Sequence, residues 1–191
     1  KDLLSMQYAR ILAENAREAQ KKLAGFPQEK LDQIVEHVAG EMEKHARELA
    51  VMSFEETDYG RWQDKLIKIS FVCRSVLRGL RGMRCVGTLR EDAGGNVLEV
   101  GVPLGVIVAL CPSTSPVSTA IYKALLAIKS GNAIIFSLHP RAVRCMKRTL
   151  DLLIAAAEEC GLPEGCVSYL ATSTRSGTIE LMRHPATSLV L

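Results

Sequence analysis

Gly105-Val-Ile-Val-Ala-Leu-Cys111 is an unbroken apolar run, and Pro116-Val-Ser-Thr-Ala-Ile-Tyr-Lys-Ala-Leu-Leu-Ala-Ile-Lys129 follows it after a short polar loop. An apolar run without alternation marks a strand buried on both faces. The next segment is helical, with Ser115 and Pro116 placed as N-cap and first helical residue. Ala133-Ile-Ile-Phe136 repeats the strand pattern. Pro140–Cys160 reads as a helix, Cys166–Leu170 as a strand, Ser176–Arg183 as a helix, and Ser188–Leu191 opens a fourth strand. The strands recur at about 25–35 residues, the spacing of βαβ crossovers in a parallel sheet. Gly131 and Gly161 stand where helix-ending glycines belong. The expected fold class is α/β, with a Rossmann-like parallel sheet.

Upstream the period is helical. Tyr8, Ile11, Leu12, Ala16, Ala19 and Leu23 fall on one face, with Gly25 as a stop and Pro27 in the first turn of the next helix. Leu31, Ile34, Val35, Val38, Met42 and Leu49 form a second stripe, with His37 and His45 among its solvated charges. Trp62, Leu66, Ile69, Cys73, Val76, Leu77 and Leu80 form a third. Three amphipathic helices packing on something larger are expected. Between them and the sheet, Cys85–Arg90 and Asn96–Val102 can be extended, separated by the turn-forming Asp92-Ala-Gly-Gly-Asn96. A lone two-stranded hairpin is marginal in water, so a third strand is expected from later in the chain or from a second subunit.

Composition sets the outer limits. Of 191 residues, 48% are apolar and 24% charged, and the net charge is +3. That charge is too small to point to nucleic acid, and no run approaches the roughly 20 apolar residues of a membrane span. Lys1–Arg10 lacks the apolar core of a signal peptide. The six cysteines contain no Cys-x-x-Cys pair and the four histidines no metal-ligand spacing, so a reducing compartment and no metal are expected.

Two loops at strand ends carry the candidate chemistry, because open α/β sheets bind ligands there. Cys111-Pro-Ser-Thr-Ser-Pro116 offers three hydroxyls and a helix start, which suits either simple capping or an anion or oxyanion. In Phe136-Ser-Leu-His-Pro-Arg141, Pro140 opens a helix on which Arg141, Arg144 and Arg148 share a face beside Lys147. That face is either a solvated basic surface or a nucleotide phosphate site. No acidic residue follows this strand and no Gly-x-Gly-x-x-Gly follows the first, so a nucleotide would not be held in the standard Rossmann way. Cys111 ends a buried strand without a local histidine, so packing is favoured over a nucleophilic role.

Val102-Pro-Leu-Gly-Val-Ile-Val-Ala-Leu-Cys-Pro-Ser-Thr-Ser-Pro116, Gly131-Asn-Ala-Ile-Ile-Phe-Ser-Leu-His-Pro-Arg-Ala142, Glu55-Glu56-Thr57 and Asp64-Lys65 together resemble the aldehyde dehydrogenase superfamily. Within it they resemble the CoA-acylating branch, which includes microcompartment enzymes and the N-terminal part of bifunctional aldehyde–alcohol dehydrogenases. The likeness covers nearly the whole chain. It implies oxidation of a small aldehyde to acyl-CoA, with NAD (or NADP) as hydride acceptor and coenzyme A as co-substrate. It implies N-terminal helices of the cofactor-binding domain at 1–83, an oligomerisation flap at 84–102 giving a homo-oligomer, and Rossmann-like units at 103–191, truncated before the catalytic domain. Pro112, Ser113 and Thr114 match the loop at the nicotinamide side. Ser137, His139, Pro140 and Arg141 match the stretch at the adenosine end.

Ser115 stands at the oxyanion position, where the family usually has Asn. That departure implies a repositioned substrate, a water-bridged donor or weak activity. None of the six cysteines matches the family nucleophile, so the 191 residues alone are expected to be inactive. The resemblance implies a location in the cytoplasm or a bacterial microcompartment, without nucleic acid or membrane partners. The alternative is a non-catalytic nucleotide-binding or assembly module related to the family.

Overall fold

A computed structural model describes residues 1–92 and 94–191. Its centre is the strand Val106–Leu110, β3, in which Val106 and Val108 face one side of a sheet and Ile107 and Ala109 the other, all four buried. Apolar groups on both faces require cover on both faces. The order along the sheet is β5 (Val167–Leu170), β4 (Ala133–Ser137), β3, β6 (Thr187–Val190), and every pairing is parallel. The chain therefore steps outward from β3 through β4 to β5, then crosses back to place β6 on the other side of β3. The crevice at such a reversal is where open α/β sheets bind ligands.

Helices α6 (Pro116–Lys129) and α7 (Val143–Glu159) cover the face carrying Ile107, Ile134 and Phe136, backed by α2 (Gln28–Lys44) and α3 (Ala46–Thr57). The other face, carrying Val106, Val108 and Ile135, is covered by α1 (Asp2–Leu23) and α8 (Arg175–Arg183). The α/β reading of the sequence and its parallel sheet hold. Strand limits agree within a residue or two, the ordinary uncertainty of element ends.

The N-terminal helices depart from their sequence stripes in three places. Ala16, Ala19 and Leu23 are buried as read, but Tyr8 and Ile11 are exposed, and α1 continues its buried face through Ser5, Ala9 and Ala13. Close approach is the reason. A Cβ added to Gly177 on α8 would lie 2.0 Å from Ser5 Oγ and 3.1 Å from the Ser5 carbonyl carbon, so only small residues fit where α1 meets α8. The second stripe is two helices broken at His45, whose φ of −94° and ψ of 1° end α2 before α3 begins. His37 and His45 are half-buried rather than solvated, and His45 Nδ1 lies 3.1 Å from Glu48. The third stripe runs through α4 (Trp62–Ser70), a π-helical turn (Phe71–Val76) and α5 (Leu77–Leu80). The wider turn brings Val72 and Cys73 inward together.

The hairpin forms as β1 (Gly87–Glu91) against antiparallel β2 (Leu98–Gly101), with an irregularity between Thr88 and Arg90. Asp92 closes its turn, since its Oδ1 accepts from Val97 N–H at 2.9 Å; Ala93 of that turn lies outside the described residues. Among the described residues no third strand joins it. Its base is held by Gln28, whose Oε1 accepts from the N–H groups of Cys85 and Val86 at 2.6 and 3.1 Å.

Gly177→Ala should lower stability by about 1–3 kcal/mol, the usual cost of overpacking a closed contact. Chemical denaturation measures it, and an unchanged midpoint would mean that α1 and α8 are not held at this distance.

Candidate functional site

A cavity of about 490 Å³ opens over the carboxyl ends of the strands. Leu110 and Cys111 bring the end of β3 to it, Ser137 to Pro140 the end of β4, and Ser173 to Arg175 the start of α8, with Thr178, Ile179 and Met182 as the α8 wall. The volume falls in the range of small-molecule and cofactor sites.

Its hydroxyls form one directed chain. Thr178 Oγ1 donates to the Thr174 carbonyl at 2.9 Å. A hydroxyl has one proton, so Ser137 must donate to Thr178 across 2.7 Å, and Ser173 to Ser137 across 3.0 Å. Ser137, 6% exposed, thus spends its proton tying β4 to α8. Thr174 caps α8, its Oγ1 accepting from Gly177 N–H at 3.1 Å. His139 Nδ1 accepts from the Arg141 N–H at 3.1 Å, which leaves Nε2 as the donor of the neutral ring.

The basic helix differs from the sequence expectation. Pro140 and Arg141 lie in a turn, with Ala142 N–H bonded to the His139 carbonyl at 2.9 Å, and α7 starts only at Val143. No side chain of its own loop caps α7. Glu56 does so from α3, its two carboxylate oxygens accepting from the N–H groups of Arg144 and Cys145, each at 2.7 Å. An anion already occupies this helix start, so it offers no phosphate site. Arg148 pairs with Glu48 at 2.8 Å, and Lys147 with Asp151 at 2.8 Å and Tyr169 at 2.9 Å. Lys147 and Arg148 thus have acids of their own on this surface, whereas the side chains of Arg141 and Arg144 have no carboxylate partner among the described residues. Arg141 is exposed and does not line the cavity.

Ser115 sits apart from the cavity, on a narrow cleft with Ser53, Lys65, Lys68, Ile69, Val117 and Ser118. It occupies the N-cap position of α6, yet its hydroxyl makes no capping bond, contrary to the capping reading. Its φ of −144° and ψ of 57° are not helical, and only its carbonyl bonds onward, to Thr119 N–H at 3.3 Å. The loop is tied instead by Lys65, 7% exposed, whose Nζ donates to the Thr114 carbonyl at 2.8 Å. Burial pushes the Lys65 ammonium below its ordinary pKa, with neighbouring Lys68 adding to the effect. Pro112, Ser113 and Thr114 span from the cavity toward this cleft without lining the cavity.

The structure thus gathers Ser137, His139 and Pro140 around one cavity and leaves Ser115 and Arg141 outside it. Ser173, Thr174, Arg175 and Thr178 complete the cavity, and the sequence reading missed them. The cluster of hydroxyls just before a helix start was their only signal. Burial pushes the Cys111 thiol up to about 12, which leaves it no useful thiolate fraction near neutrality and supports a packing role. Among the described residues no cluster of metal-ligating side chains is present, and no helix is long and apolar enough to cross a membrane.

Comparison with known proteins gives a consistent picture. The aldehyde dehydrogenase family pattern matches residues 5–191. The bifunctional aldehyde-alcohol dehydrogenase AdhE of Escherichia coli strain K12 is 33% identical over 180 residues, which cover 94% of this chain and 20% of AdhE. A probable aldehyde dehydrogenase from Listeria monocytogenes superposes with a TM-score of 0.97 at 43% identity, over 99% of this chain and 42% of that one. An acetylating aldehyde dehydrogenase from Geobacillus thermoglucosidasius superposes with a TM-score of 0.96 at 39% identity, with the same coverages. The chain therefore spans well under half the length of these relatives.

Replacing Glu56 should uncap α7 from a distance. Glu56→Ala is expected to cost about 1–2 kcal/mol and Glu56→Gln, which keeps one acceptor, less. Denaturation midpoints of the two variants test the order, and equal losses would assign the effect to packing.

Proposed function

Because the chain belongs to the aldehyde dehydrogenase family, we propose that it is the cofactor-binding portion of a CoA-acylating aldehyde dehydrogenase. Residues 1–83 and 103–191 form its nucleotide-binding body and residues 84–102 its flap. The reaction is aldehyde + CoA + NAD(P)⁺ → acyl-CoA + NAD(P)H + H⁺. The observation that carries the reading is the cavity over the carboxyl ends of β3 and β4, of a size to take part of a dinucleotide. The acetylating and bifunctional activities named for the relatives support the acylating branch.

The cavity fits an adenine nucleotide in chemistry as well as size. Leu110, Leu138, Ile179 and Met182 supply apolar walls for a base, and His139 and Arg175 supply polar groups at the same space. Ser137 acts by holding β4 to α8, which fixes the width of the cavity. His139 and Pro140 wall the adenosine end, with Arg141 beside them on the surface. Pro112, Ser113 and Thr114 lead from there toward the reacting end, held in place by Lys65. When bound, the nicotinamide supplies a hydride acceptor. Ser115 lies where the carbonyl oxygen gains charge, and its hydroxyl, free of any capping duty, is the donor offered to it. The thiol nucleophile is not among this chain's six cysteines, four of which are buried.

The full-length protein should form NADH or NADPH from a short aliphatic aldehyde only when CoA is supplied, and the 191 residues alone should not. CoA-independent turnover by the full-length protein would reject the acylating reading. Ser115→Ala should change stability by less than about 0.5 kcal/mol, since no capping bond is lost. It should slow single-turnover hydride transfer by about 10²–10³, while Ser115→Asn preserves the step. Unchanged transfer in Ser115→Ala would remove Ser115 from the catalytic residues.

The flap has a second role in this reading. β1 and β2 are exposed along their length, and Leu98, Val100, Val102 and Leu104 present apolar side chains to water. Open strand edges of this kind are completed by pairing with another sheet, here one in a second subunit. Deleting Arg84–Gly101 from the full-length protein should leave monomers in sedimentation, and an unchanged oligomer would reject that role.

A further inference from the structure

Lys65 on α4 carries a charge in a costly place. It is 7% exposed, and its one hydrogen bond among the described residues goes to a neutral group, the Thr114 carbonyl. An ammonium has three donors, so two remain without a protein acceptor. The acids on the elements packed against α4 are engaged elsewhere: Glu56 caps the start of α7, and Glu43 pairs with Arg74. Lys68, which shares the cleft, adds a second positive charge rather than an opposite one. A buried cation without a counter-ion is expensive, and an apolar side chain of similar length would avoid the cost.

What the charge acts on is the peptide that joins Thr114 to Ser115. A cation bonded to the carbonyl of a peptide polarises it and makes the N–H at its other end a stronger donor. That N–H belongs to Ser115, and it bonds to no backbone carbonyl among the described residues. The Ser115 hydroxyl makes no capping bond either. Two donors are thus left free on one residue, at a helix start whose dipole also favours negative charge. The cleft shared by Lys65, Ser115 and Ser118 measures about 10 Å³, room for roughly one water-sized atom.

We propose that Lys65 is a positioning residue for the reacting carbonyl oxygen, and that it acts through its charge: it holds and polarises the 114–115 peptide, and that charge is matched only while the oxygen beside Ser115 becomes negative. The inference rests on the acylating reading of Ser115. It explains why a cation is kept where a neutral donor could tie the loop equally well. It also gives Ser115 the electrostatic support that a lone hydroxyl lacks.

Lys65→Met in the full-length protein separates a charge kept for the reaction from a structural tie. Its denaturation midpoint should hold or rise, because an unmatched buried charge gives way to an apolar chain. Single-turnover hydride transfer, with saturating aldehyde, CoA and NAD or NADP, should slow about tenfold or more. Lys65→Arg, which keeps a cation at the carbonyl, should retain more of that step than Lys65→Met. A tie alone would move stability and rate down together. Unchanged transfer in Lys65→Met, slower transfer with a lowered midpoint, failure of that variant to fold, or equal losses in Lys65→Met and Lys65→Arg would overturn the inference and leave the acylating reading standing. If the unaltered full-length protein forms no NADH or NADPH, the acylating reading fails and the role of Lys65 fails with it.

Discussion

Val106 and Val108 of β3 point to one side, Ile107 and Ala109 to the other, and neither pair can be left facing water. That double burial organises the molecule. The crossover helices α6 and α7 cover one side, while on the other α8 needs the help of α1 from the far end of the sequence. The cavity then lies where β3, β4 and α8 converge, a position fixed by topology before any polar side chain is chosen.

The sheet was legible because its signals are local. Continuous apolar runs, helix-ending glycines and the turn chemistry before Val97 each depend on a few adjacent residues. The departures have long-range causes. No periodicity within residues 1–23 shows that the Ala and Ser face of α1, rather than the one carrying Tyr8 and Ile11, must be buried. That choice is made by Gly177, which lets α8 approach. His45 breaks a stripe whose apolar spacing continues through it, and the helix cap of α7 comes from a glutamate 88 residues away from its first partner.

The site was legible in place more than in detail. The loops at the ends of β3 and β4 were identifiable, but which hydroxyls remain available depends on bonds across the fold. Ser137 proves committed to Thr178, and Ser115, the obvious cap, proves uncommitted. A sequence shows which residues can hold a proton; the direction in which each proton points is a property of the assembled network.

The meeting of α1 with α8 also has a temporal side. Ser5 donates its hydroxyl proton to the carbonyl of Thr172, 167 positions later. At about 5–20 residues per second, a nascent chain would carry α1 for roughly 10–30 s before that partner emerges. During the wait the face that will be buried is exposed, and it is built mainly of alanine and serine rather than leucine or phenylalanine. So small a surface offers little apolar area to a wrong partner. The shape demanded by close packing thus also keeps α1 from sticking elsewhere while it waits for α8.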